Sequence, residues 1–183
     1  MRLPRVRTAA RMPPLMGYRI GFALIVAVAI VLGACGKEIG DACVIPQDCS
    51  PNGDRICIDV VQTSEGTTEG YCTIRGCDYS TCPDESVCVR FFTGGFSNRT
   101  CAQADDCSFD ELCALDGHCV ARSSEIRYCM RTCGGDGDCR DGYECRDINK
   151  MIEHGGEPVL APGVPIDAHA PKFCAAAPEP TSP

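Results

Sequence analysis

The sequence predicts a small disulfide-rich fold: a tandem array of short β-hairpin and loop modules, with little helix outside an apolar N-terminal segment. Three observations lead there. All 17 Cys of the 183-residue chain lie from Cys35 onward. They make up about 11% of that part, above the ~8–10% that marks a disulfide scaffold. Leu, Ile, Val and Phe number only 25 of those 149 residues, too few for a large conventional core. A short Cys-centred fragment recurs four times. From Cys35 onward, 12 Lys+Arg stand against 25 Asp+Glu, a charge of −13. That balance excludes nucleic-acid binding driven by phosphate neutralisation.

The first 34 residues read as an address. Arg2, Arg5, Arg7, Arg11 and Arg19 precede an unbroken apolar or small run, Ile20 to Leu32. Thirteen residues at ~1.5 Å each fall well short of a ~30 Å bilayer core, so a secretory signal fits better than a spanning helix. A signal-anchor is the alternative reading. Met12 or Met16 would serve as the start as well as Met1. The boundary Leu32-Gly33-Ala34-Cys35 resembles the lipobox of bacterial lipoproteins. That resemblance implies cleavage after Ala34 and acylation of the Cys35 thiol, so that Cys35 becomes the mature N-terminus. It also implies multiple acyl chains, because one chain alone binds a membrane only marginally. Gly36 follows where enteric lipoproteins retained at the inner membrane carry Asp, which favours the outer membrane. Residues 35–42 would then be a lipidated tether.

Removing Cys35 leaves sixteen Cys, an even number, as a closed disulfide framework in an oxidising compartment requires. The repeated fragment reads QDCSPNGDRIC around Cys49 and Cys57, STCPDESVC around Cys82 and Cys88, DDCSFDELC around Cys107 and Cys113, and GDCRDGYEC around Cys139 and Cys145. Cys43, Cys77, Cys101 and Cys133 each stand upstream, with four or five residues intervening. Tyr71-Cys72 and Tyr128-Cys129 each close a unit, and Cys119 and Cys174 complete the set. Four modules follow, at about 43–72, 77–101, 101–129 and 133–174. Cys101 either closes one module or opens the next, and connectivity stays open, because even four Cys allow three pairings. Such a repeat reads as supersecondary units stacked along the chain.

Locally, Asn52-Gly53, Asp116-Gly117 and Asp141-Gly142 are turn dipeptides between short flanks. Ile56–Val61 and Val87–Phe92 suit strands, and one helical turn near Phe109–Leu112 is compatible with the pattern. Residues 150–173, rich in Gly, Pro and Ala, read as an exposed irregular loop, and 175–183 as a disordered tail. One cross-link closing a ~15-residue loop removes roughly 3 kcal/mol of unfolded-state entropy, so eight would order a chain this poor in apolar residues.

The chemistry candidates are few. No C-x2-C occurs and the tightest pair is Cys129-x3-Cys133, so disulfides are favoured over paired zinc ligands, a thioredoxin-type redox motif is missing, and no metal site is expected. Asp136, Asp138, Asp141 and Gly142 outline a calcium loop, but Arg140 and Asp141 occupy the fifth and sixth positions, where an EF-hand needs an oxygen ligand and Gly. His118, His154 and His169 read as exposed loop residues without a nucleophile motif. No catalytic residue and no cofactor is expected. Tyr71, Tyr79, Tyr128 and Tyr143 are expected to pack on cystines, and without Trp a carbohydrate platform is weakly supported.

The D-C-x5-C units resemble the Cys-rich repeats of secreted bacterial lipoproteins and, more loosely, Dickkopf N-terminal and EGF-like modules. Only spacing carries this likeness, so it implies no ligand or functional residue. The expectation is a lipid-anchored, exported binding or structural module on the cell envelope, joined to the membrane through its lipid and meeting a protein partner. The alternative is an inhibitor of an exported enzyme that presents the 150–173 loop.

Overall fold

The chain divides into two units, residues 1–35 and 36–183. The computed structural model describes residues 36–62, 68–94 and 97–178. The expected signal segment, with Leu32, Gly33, Ala34 and Cys35, lies outside the described residues, as does most of the expected tail.

Short antiparallel strands and eight disulfides make up the second unit, in agreement with the predicted class. In chain order these are β1 (Ala42–Cys43), a single turn α1 (Pro46–Cys49), β2 (Ile56–Gln62), β3 (Thr68–Thr73), β4 (Ser86–Phe92), β5 (Glu111–Cys113), β6 (Cys119–Ala121), β7 (Glu125–Arg131), β8 (Tyr143–Arg146), α2 (Ile148–His154), β9 (Glu157–Pro158) and β10 (Phe173–Ala176). They form sheets β1-β3-β2, β7-β4-β9, β10-β8 and β5-β6. The two β-rich runs read from sequence became β2 and β4. Asp116-Gly117 turns the β5–β6 hairpin, with Gly117 at φ 80°, a left-handed conformation that glycine adopts without steric cost. Asp141-Gly142 instead closes a turn ahead of β8, where Tyr143 N–H donates to Arg140 O at 3.1 Å. No helix forms at Phe109–Leu112. Leu112 enters β5, and a short 3-10 turn sits upstream at Ala104–Asp106.

Cystine pairing explains the repeat. The bonds are Cys43–Cys57, Cys49–Cys72, Cys77–Cys88, Cys82–Cys129, Cys101–Cys113, Cys107–Cys119, Cys133–Cys145 and Cys139–Cys174. Each group of four joins first to third and second to fourth. The third and fourth face each other across an antiparallel pair: Cys57 opposite Cys72, Cys88 opposite Cys129, Cys113 opposite Cys119, and Cys145 opposite Cys174. Directly opposed residues are not bonded to each other; both reach to the loop before the hairpin.

This corrects the two middle modules. The expected spans 77–101 and 101–129 are nested rather than consecutive. Cys101 opens the third module, which runs only to Cys119, and Cys129 returns to close the second. The third module is inserted between β4 and β7, whose ends Phe92 and Glu125 are register partners. Spacing along the chain could not show this, because Cys129 pairs with a residue 47 positions away.

The modules are also less separate than a string of beads. Ile39, Tyr71, Val89, Met130, Tyr143, Met151 and Phe173 share one buried cluster with Cys77, Cys88 and Cys129. It therefore spans the first, second and fourth modules. Backbone bonds from the connecting segments fasten them as well: Gly76 N–H to Arg127 O at 2.9 Å, Cys129 N–H to Ile74 O at 3.0 Å, and Thr132 N–H to Glu85 O at 3.0 Å. The inserted module keeps its own small cluster of Leu112, Ala114 and Val120, touched by Phe92.

Two irregular segments turn out to be built into this body. Residues 150–154 and 157–158, expected within an exposed loop, belong to α2 and β9. Asp147 caps α2 by accepting from Asn149 and Lys150 N–H, each at 3.1 Å. Met151 on α2 is 2% exposed, and Pro158 pairs with Val89 on β4. Glycine is required at Gly156 (φ 82°), where a Cβ would lie 2.8 Å from the Phe91 ring and 2.9 Å from Phe173. The expected tether, residues 35–42, is docked from its described start. Ile39 is fully buried, and Gly40 N–H donates to Cys72 O at 2.9 Å.

Candidate functional site

The D-C dipeptide has a structural task. In the first module, Asp48 Oδ2 accepts from Val44 N–H at 2.8 Å and Ile45 N–H at 3.1 Å. In the third, Asp106 Oδ2 accepts from Ala102 N–H at 2.8 Å and Gln103 N–H at 3.0 Å. In the fourth, Asp138 Oδ2 accepts from Gly134 N–H at 2.7 Å and Gly135 N–H at 3.2 Å. Each carboxylate reaches back over the five-residue loop and satisfies two amides that follow the first Cys. Those bonds hold the Asp48 and Asp106 carboxyls below the usual range, because amide donors favour the charged form. The second module is one residue shorter there and has Thr81 instead. Thr81 Oγ1 accepts from Asp78 N–H at 2.8 Å, and Ser80 takes φ 58° to make the tighter turn. The repeated Asp was visible in the sequence, but its role as a loop clasp was not.

Within each module the first three Cys bring their Sγ atoms within 4.8 Å of one another. That is the crossing of two cystines. Bonded sulfurs carry no thiolate, the form a metal needs.

Polar chemistry gathers in three places. Arg146, 7% exposed, lies over the C-terminus of α2 and donates to His154 O at 2.8 Å, Gly155 O at 2.9 Å and Ala176 O at 2.7 Å. Its Nε meets Glu144 Oε1 at 3.0 Å, and His154 Nδ1 is 2.7 Å from the same oxygen. Burial lowers the Arg146 pKa, partly offset by Glu144. His154 thus ends a helix instead of lying in an open loop. The cavity beside it, of about 330 Å³, is lined by Phe91, Phe92, Asp116 and Met151 among others. Among its described lining residues there is no hydroxyl or thiol to act as a nucleophile. His169, by contrast, is 94% exposed.

Arg140 forms the second group. Its guanidinium lies 4.4 Å from the Tyr143 ring centre and donates to Glu69 at 3.0 Å. The Tyr71 ring is 5.2 Å from Tyr143, so these tyrosines pack on each other and on arginine, within the buried cluster that also holds Cys77, Cys88 and Cys129. Burial raises the Tyr71 pKa. Tyr79 is half exposed.

The third is an open cleft of about 720 Å³ between the inserted module and the β7-β4-β9 sheet, lined by Arg90, Leu112, Leu115, Glu157, Val159 and Ile166 among others. Glu157 is 3% exposed. Its Oε2 accepts from Arg90 Nε at 2.8 Å and the terminal guanidinium nitrogen at 2.6 Å, and its Oε1 accepts from Leu115 N–H. With both oxygens engaged, this carboxylate fastens β9, β4 and the inserted module together. No family model, curated protein or solved structure matches this chain.

Proposed function

We propose that this protein is an exported, disulfide-framed binding or structural module of the bacterial cell envelope, held there by lipid on Cys35. The observation that carries the reading is Leu32-Gly33-Ala34-Cys35, standing directly before a body whose disulfides use the other sixteen Cys. A body closed by eight cross-links suits an oxidising compartment, and the seventeenth Cys is left for a different chemistry. With no Asp beside Cys35, the outer membrane is the favoured site. The cleft beneath the inserted module is the natural place for a protein partner. The test is the intact mass of protein extracted from native-host membranes. An acylated chain beginning at Cys35 is expected, and Cys35→Ser should release the protein or stall its processing. An unacylated mature chain, or one that begins elsewhere, would overturn the reading.

One observation keeps the inhibitor reading in play. Residues 160–172 remain largely exposed, yet the loop is fixed at both ends, by Val159 N–H on Cys88 O at 2.8 Å and by the Cys139–Cys174 bond. A rigid exposed loop lowers the ordering cost of binding. Replacing 160–172 with a short Gly/Ser linker should abolish capture of a single stoichiometric enzyme if that reading holds.

A further inference from the structure

The body is packed from Gly36 onward. A Cβ on Gly36 would lie 3.1 Å from Cys49 O, so Gly36 rests against the end of α1. From there the chain is fastened. Ile39 is buried, Cys72 N–H donates to Asp41 O at 3.0 Å, and the Arg131 guanidinium is 3.4 Å from Glu38. Consecutive Cα atoms are ~3.8 Å apart, so whatever Cys35 carries is delivered to this end of the first module.

Two of the large exposed hydrophobics lie at the same end. Val44 is 78% exposed and Ile45 50%. They sit in the five-residue loop between Cys43 and Cys49, one helical turn, about 5.4 Å of rise, from the residue that Gly36 touches. The Asp48 clasp holds their amides and leaves their side chains outward. Lys37 Nζ reaches Ala42 O at 2.6 Å, two residues before Val44, and the Arg55 guanidinium donates to Lys37 O. The nearby acids are engaged locally: Asp48 with amides, Asp54 with Ser50, Glu38 and Asp41 toward Arg131.

We propose that Val44 and Ile45 form a membrane-inserting tip, which seats the first module on the bilayer that holds the Cys35 lipid, with Lys37 and Arg55 at the headgroup phosphates. This rests on acylation of Cys35 and adds an orientation to it. Two side chains bind a bilayer weakly alone, but a lipid on Cys35 of the same chain makes their insertion intramolecular, at high effective concentration.

The chain has no Trp, so one introduced Trp reports its own surroundings. V44W and F109W would each be made in the full chain, matured in the native host and placed in phosphatidylcholine vesicles containing brominated lipid. Phe109 is fully exposed and lies in the inserted module. Intact mass on each sample records acylation and the eight disulfides. The expected result is an acylated V44W with blue-shifted emission, about halved by bromines at the ~5–10 Å depth of interfacial insertion, and an unaffected F109W. Acylated V44W that is unquenched, or quenched no more than F109W, would overturn the tip while leaving the anchor standing. An unacylated mass with protein free of vesicles would overturn the anchor, and the tip with it.

Discussion

Phe173→Ala tests whether the modules share a core. Phe173 lies on β10 in the fourth module and is fully buried. Its ring meets Phe91 of the second module edge-on at 6.3 Å. Complete burial means that the full transfer term is lost, and Phe→Ala at such sites costs ~3–5 kcal/mol. Little can collapse into the space. One neighbour is Gly156, which has no side chain, and the adjacent Cys174 is bonded to Cys139. The upper part of the range, about 4 kcal/mol, is therefore expected. At ~1.4 kcal/mol per factor of ten, that is roughly a thousandfold in the opening equilibrium. The assay is native-state hydrogen exchange with all disulfides intact, supported by guanidinium unfolding. Amides of β4 and β7 should lose protection together with those of β8 and β10, by about that factor, while β5 and β6 in the inserted module stay near wild type. Loss confined to β8 and β10 would refute the shared core and restore a string of independent modules. Equal loss in β5 and β6 would refute the separateness of the insert.

Replacing residues 93–124 with Asn-Gly should yield a folded protein with six disulfides. Phe92 and Glu125 are already register partners, and a tight turn lowers the loop-closure cost by about 2 kcal/mol, against the lost contacts of Phe92 and Glu157; disulfide mapping would show scrambling if the insert is required. Cys107→Ala together with Cys119→Ala should remove protection mainly between residues 101 and 121, read by the same exchange experiment, because the insert's apolar cluster is its own. Acid should weaken the first and third modules: the Asp48 and Asp106 carboxyls are depressed in the folded state, so their contribution is present above the unfolded carboxyl pKa and is lost as pH falls through the folded value. Asp106→Asn should flatten this dependence for β5 and β6, followed by NMR titration. Full reduction at neutral pH should give an expanded chain without a thermal transition, since the buried apolar set is small; a cooperative melt in reductant would show that burial suffices.

The disulfide class, the strands β2 and β4 and the Asp116-Gly117 hairpin were legible because each rests on local information: Cys content, β-branched runs and a turn dipeptide. So was the D-C repeat, although its purpose needed coordinates. A carboxylate one residue before a Cys says nothing by itself about which amides it will meet, and the amides prove to be those just after the preceding Cys. Leu32-Gly33-Ala34-Cys35 is a local motif too, and the lipoprotein reading it supports is a proposal.

Tertiary structure alone decided what depends on distant partners. Cys129 belongs to Cys82 only once β7 has paired with β4 around the insert. The Pro- and Gly-rich stretch after Cys145 looked irregular because its composition is that of a loop. Yet Met151 and Pro158 are buried by residues of β4 and its neighbours that are far away in sequence, and no local pattern could announce those contacts. Ile39 is the same case: a lone apolar residue in a short polar leader, buried because the first, second and fourth modules close over it. Local composition determines which elements can form, whereas burial is set by which surfaces meet, and only the folded chain brings these together.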